Sequence, residues 1–137
     1  MTDWKINYVQ QVGPTCTVAC LAMIRGVSFE EVDKDFEDSS ALTLNMCADY
    51  LGDHGYSVLI KELMYHNTPK FAREIITEPF APAHIIHCKQ FAESAIQHVV
   101  VMDNKGEIFD PARPDCKSVD DYYMLTGVLG IWREGKG

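Results

Sequence analysis

The dominant period of the apolar residues changes near Gly55, and that change decides the fold class. Ahead of it, Cys16, Ala19, Cys20, Met23 and Ile24 recur at i, i+3, i+4, i+7 and i+8, the stripe of a helix over about 15–25 that Gly26 stops. "SFEE" places Ser28 as N-cap and Glu31 at the third helical position, a capping box that opens a short helix to about residue 36. A third helix is expected over about 42–51, with Leu44, Cys47, Ala48 and Leu51 on one side and Gly52 and Gly55 closing it. Beyond Gly55 the runs are β-branched: "YSVLIKEL", "AHIIHCK", "AIQHVVVMD", "GEIFD" and "GVLGIWRE". Asn104-Lys105-Gly106 joins the third and fourth of them as a hairpin turn. Thr68-Pro69 opens a short helix to about residue 77, and "VDDYYML" forms one more helical turn. Helices first and antiparallel strands after them predict an α+β domain, with no repeat, linker or boundary to divide residues 1–137.

Composition narrows the function classes. The formal net charge is −8, from 20 acidic against 12 basic residues with no Lys/Arg cluster, so nucleic acid is not expected as a partner. No apolar run approaches the roughly 20 residues a bilayer requires, and the first twenty residues lack signal-peptide order, so a cytoplasmic location without a membrane partner is the default. Five cysteines, an odd number with no CxxC pair, argue against a disulfide framework and a structural zinc site. Each cysteine is then either core packing or chemistry.

The arm at 5–13 ends in "YVQQVGPTC", two glutamines and a Gly-Pro turn before a cysteine at a helix start. A core helix needs none of these. A thiol attacks as thiolate, and its free pKa of about 8.5 is lowered by a helix N-terminus and by a neighbouring imidazole. Cys16 has the first; Cys20, a turn deeper, faces the core, where burial raises a thiol pKa. The imidazole is His98, on a strand whose alternation puts it with Ile96 and Val100. A histidine among such neighbours needs partners for both ring nitrogens, for which the Cys16 thiol and a carboxylate serve. Asp110 is the carboxylate, at the end of the strand paired with that of His98 and just before Pro111. The Cys16 N–H and a side-chain amide from Gln10 or Gln11 would complete an oxyanion hole, in which one donor contributes about 3–4 kcal/mol.

At these residues the chain resembles papain-like cysteine peptidases. Within them it is most similar to double-glycine (bacteriocin) leader peptidase domains and to small stand-alone relatives encoded by bacteria and phages. The likeness rests on the order Gln, five residues, Cys; on "CTVACLAMI"; and on "HVVVMD" and "IFDP", spanning 8–26 and 83–134. The resemblance implies a papain-like fold with Cys16 as nucleophile, His98 as general base, Asp110 as orienting acid and Gln10, by the six-residue spacing, as oxyanion donor. It implies no cofactor, and a peptide or protein substrate cleaved at a peptide or isopeptide bond through a thioester, with a host protein as target if the source is a phage. Thr15 and Thr17 stand where leader peptidases usually carry Asp and Gly, so the resemblance does not carry the Gly-Gly leader specificity over to this chain. The alternative is a catalytically silent papain-like scaffold that binds a protein or peptide.

Taken singly, each of these residues has a plainer role: Cys16 and His98 in a core, Asp110 in a turn, Gln10 on a surface. His84, His87 and Cys88 are all ligand types, but strand alternation sends His87 to the face opposite the other two, so no metal site is expected. Cys20 and Cys47 read as core, Cys116 and His66 as loop residues, His54 as a turn or helix-end residue, "DKDFED" as a solvated face, and Trp132 and Tyr122-Tyr123 as core or rim aromatics.

Overall fold

The structure, a computed structural model, describes residues 4–38, 42–62, 80–89, 98–115, 117–118 and 124–133. Among the described residues, three helices, α1 (Cys16–Arg25), α2 (Phe29–Asp33) and α3 (Leu44–Asp53), precede five strands, β1 (Tyr56–Glu62), β2 (Ala83–Lys89), β3 (His98–Asp103), β4 (Ile108–Phe109) and β5 (Met124–Arg133). The strands form one sheet in the order β1-β5-β2-β3-β4, antiparallel at every pairing, as an α+β domain requires. The helix expected at 68–77, and with it His66, Cys116 and the Tyr122-Tyr123 pair, lies outside the described residues; of the helical turn expected in "VDDYYML", residues 119–123 lie outside them too, and Met124 and Leu125 are extended in β5 instead, paired with Lys89 and Cys88 of β2.

Local chemistry sets the helix ends. Thr43 and Ser28 each accept a bond from the amide three residues on, Met46 N and Glu31 N at 3.2 Å, so one otherwise orphaned donor is satisfied at each start. Gly26 closes α1 in the left-handed region (φ 70°), with its N–H on Ala22 O. Thr15 is different. Its hydroxyl is engaged with Val12 rather than with the first turn of α1, which leaves that turn without a side-chain cap.

Two elements depart from the sequence reading in ways that packing explains. α1 does not show one stripe: every residue from Thr17 to Ile24 is buried, because the helix lies between α2, α3 and the sheet. Burying side chains such as Leu21, Met23 and Ile24 contributes about 1.5–3 kcal/mol each. In the same way the middle of "HVVVMD", Val99 to Met102, is apolar without interruption because β3 is covered on both faces. Val99 and Val101 join the helix-side core with Ala83, Ile85, Leu129 and Ile131, whereas Val100 and Met102 join a second cluster with Ile86, Ile108, Leu125 and Val128. β4 is only two residues long, and β5 begins at Met124, three residues earlier than read.

The remaining expected positions fall as follows. His54 is the C-cap of α3, with Nδ1 against Tyr50 O. Asp35, Glu37 and Asp38 of the charged run are exposed, although the Asp35 carboxylate accepts from the Tyr50 hydroxyl, itself bonded to Arg25. Cys47 is core. His84 is fully buried with both ring nitrogens used, Nδ1–H on Met102 O and Nε2 accepting from Phe80 N and Ala81 N, which is a structural role.

Candidate active site

The start of α1 meets the start of β3. Cys16 is the first residue of α1 and is half-buried; His98 is the first residue of β3, with 17% of its side chain exposed. Asp110 follows β4 directly and is completely buried. The β3–β4 register sets Val101 opposite Phe109 and Met102 opposite Ile108. Continued by one residue, it brings Asp110 opposite Val100 and therefore diagonal to His98 on one face of the pair, within reach for side chains.

The three groups form one line of contacts. His98 Nε2–H donates to Asp110 Oδ1 at 2.7 Å. That bond fixes the tautomer and leaves Nδ1 for the Cys16 thiol, which is hydrogen-bonded to the ring. Asp110 is itself held in an Asx turn, because Oδ1 also accepts from Ala112 N at 2.8 Å and Arg113 N at 3.1 Å. A carboxylate with no solvent exposure keeps its charge only with donors of this kind around it.

Charge at the site follows from these contacts. Burial pushes the Cys16 thiol up, but His98, by hydrogen bond and by charge, together with the Val99 N–H and the Thr17 hydroxyl, holds it below its ordinary value. For His98 burial acts against the cation, and the hydrogen bonds and charges of Asp110 and Cys16 override it, raising the imidazole to about 9. With the thiol held down and the imidazole held up by each other, the contacts favour a thiolate beside an imidazolium. The other described cysteines cannot compete. Burial drives Cys20 far up and raises Cys47 to about 12. Cys20 and Cys88 instead donate to the backbone, to Val99 O and His98 O, each at 3.5 Å, and so brace the start of β3.

The arm at 4–12 crosses the site without regular secondary structure and bends at Gly13 (φ 65°). Gln10 is exposed and makes no hydrogen bond among the described residues. Gln11 is half-buried, and its amide N–H donates to Gly13 O at 2.7 Å, while its Oε1 is buried without a partner among the described residues. The structure therefore brings Cys16, His98 and Asp110 together, commits the Gln11 amide locally and leaves that of Gln10 unengaged. No donor geometry between either glutamine and the thiol accompanies that arrangement.

Sequence reasoning missed two donors to the sulfur, the Val99 N–H and the Thr17 hydroxyl. The first has no sequence signature, since every residue but proline carries an N–H. The second was visible as a hydroxyl next to the cysteine, but in the sequence it reads only as a departure from glycine. His84, His87 and Cys88 do not converge: His84 and Cys88 are fully buried and His87 points to the other face. Among the described residues no group of three metal-ligating side chains occurs, and no helix is long and apolar enough to cross a membrane.

No family model matches the chain, and no curated protein matches it in sequence. Among solved structures it is similar to the crystal structure of a double glycine motif protease from an AMS/PCAT transporter in complex with the leader peptide. The TM-score is 0.66 at 19% identity, over 94% of this chain and 92% of that one. At this identity the likeness is one of fold, and it bears out the expected architecture, N-terminal helices on an antiparallel sheet in the papain-like manner of such peptidases.

Proposed function

We propose that the chain is a cysteine hydrolase that cleaves a peptide or isopeptide bond. The observation that carries this reading is the relay Cys16–His98–Asp110, three groups up to 94 residues apart in sequence joined through one imidazole. A structural core has no use for it. A lone buried imidazolium-carboxylate pair is costly unless its charges are used or fully compensated, and here one side of the ring faces a thiol at a helix start. The fold neighbour is a protease held with a leader peptide, which supports a peptide as the substrate class.

The chemistry follows from the charge state. The Cys16 thiolate attacks the carbonyl carbon, and the carbonyl π electrons move to oxygen. The Cys16 N–H and the Gln10 amide are the donors assigned to that oxyanion; the uncapped first turn of α1 keeps the former free. The imidazolium then gives its Nδ1 proton to the leaving amine as the C–N bond breaks, and a thioester remains on Cys16. Water attacks the thioester with His98 as base, which releases the acid and restores the thiol. Asp110 stays ionised throughout and orients the ring. An amine in place of water would make the same thioester an acyl-transfer intermediate.

A thiol-directed activity probe tests the assignment. Wild type should be labelled, Cys16→Ala should not, and Cys20→Ala should be labelled at the wild-type rate. Mass spectrometry of proteins cleaved in lysate by wild type and not by Cys16→Ala identifies the substrate. Labelling that survives Cys16→Ala removes Cys16 from its role. A thiol no more reactive than free cysteine, in wild type and His98→Ala alike, leaves a binding scaffold as the function.

A further inference from the structure

The segment that carries Asp110 has an unusual support. The β3–β4 ladder ends at Phe109, and Pro111 has no N–H to give. Within the segment, the Asx turn and the bond from Arg113 N to Asp110 O at 3.2 Å shape the loop, and the Asp110 carboxylate reaches His98 on β3. Two bonds from the arm, near the other end of the chain, fasten its main chain as well. The Tyr8 hydroxyl donates to Asp110 O at 2.7 Å, and Gln11 N–H donates to Pro111 O at 3.0 Å. Tyr8 is 38% exposed, yet its hydroxyl turns inward to a main-chain oxygen 102 residues away. A surface aromatic needs no such bond to be accommodated, because water would serve its hydroxyl as well.

We propose that Tyr8 is a positioning residue for the hydrolase: its hydroxyl clamps the Asp110–Pro111 peptide to the arm, so that the carboxylate facing His98 and the glutamine-bearing stretch of the arm are held as one body. This rests on the reading of Cys16, His98 and Asp110 given above. Tyr8 touches no reacting atom. It acts through Asp110, whose carboxylate must lie at hydrogen-bond distance and in line with Nε2 to hold the imidazolium. Among the described residues, the titratable groups that face the His98 ring are the Asp110 carboxylate and the Cys16 thiol, and the Tyr8 hydroxyl has its pKa raised by burial and then by the field of that same carboxylate. Losing the clamp loosens the carboxylate and so weakens the charged form of the ring relative to the neutral one.

Tyr8→Phe removes the hydroxyl and keeps the ring. In a ¹⁵N-histidine NMR titration the His98 midpoint should fall by about half a unit, threefold in the equilibrium constant, the scale of one neutral hydrogen bond. The His84 ring, whose nitrogens are satisfied elsewhere, serves as internal reference and should not move. Alkylation of Cys16 by iodoacetate, an anion drawn to the imidazolium, should slow about twofold at pH 9 and stay unchanged at pH 7. In an Asp110→Asn background the same change should leave the His98 midpoint where it is, since the two residues act in series. An unmoved midpoint in Tyr8→Phe, with Cys16 reactivity still dependent on His98, overturns the role of Tyr8 and leaves the hydrolase reading intact. A shift that persists in the Asp110→Asn background also overturns it, because the effect would not pass through the carboxylate. Reactivity indifferent to His98→Ala overturns both readings together.

Discussion

Replacing Asp110 with asparagine separates the charge of that side chain from its shape. The substitution is isosteric, and Oδ1 of the amide can still accept from Ala112 N, Arg113 N and His98 Nε2, the three donors it now serves. What disappears is the negative charge opposite the imidazolium. A charge-assisted hydrogen bond becomes a neutral one, a loss of about 1–2 kcal/mol in a buried setting, or roughly one pKa unit. His98, now raised to about 9, should therefore titrate near about 8 in Asp110→Asn. The two limbs of the pH profile should respond unequally. Deprotonation of Cys16 occurs with the imidazolium present before and after, so the acid limb changes little; deprotonation of His98 removes the cation itself, so the alkaline limb moves by the full amount. Iodoacetate alkylation of Cys16 from pH 5 to 10, with His98 followed by NMR, reads both limbs. Equal displacement of the two limbs, or an alkaline limb that does not move, would refute the reasoning, because the carboxylate would then not be acting on the ring.

Two further predictions concern the frame that holds the site. His84→Leu leaves the N–H groups of Phe80 and Ala81 and the Met102 carbonyl unpaired in the interior, and urea unfolding at pH 7 should show a loss of about 2–4 kcal/mol. Because burial lowers the His84 pKa, its contribution is complete above about 6.5 and is lost as the pH falls below that value, so wild type should weaken from pH 6.5 to 5 and the variant less so; His98, raised to about 9, contributes fully below about 6.5 and loses that contribution as the pH rises through 9. Gly130→Ala places a Cβ in collision with Phe80 Cε2 and 2.9 Å from Cζ, so the ring must move, and thermal unfolding should report a cost of about 1–3 kcal/mol that Phe80→Leu largely relieves.

Much of this molecule can be read along the chain because the responsible chemistry is local. Ser28 with Glu31, Gly26 in the left-handed region, and the bounds of "AHIIHCK" each depend on neighbours within four residues. The reading weakened where a distant surface decides. The one-sided stripe proposed for α1 failed because its other side is covered by α2 and α3, and "GEIFD" yields only a two-residue strand because Asp110 turns its carboxylate into an Asx turn instead of continuing the ladder. The candidate site was legible in its residue types, since a thiol at a helix start, an imidazole in an apolar strand and an Asp before Pro are each locally odd.

The order of elements, their chemistry and the candidate residues are thus properties of the sequence, because capping, periodicity and side-chain ionisation act over a few residues or within one. Which groups touch was settled by the folded chain alone. The sheet register carries Asp110 to His98, the packing of α1 on β3 brings Cys16 to the ring and to the Val99 N–H, and the arm delivers Tyr8 to Asp110. Such contacts depend on burial and register summed over the whole domain, and no local stretch of residues encodes that sum.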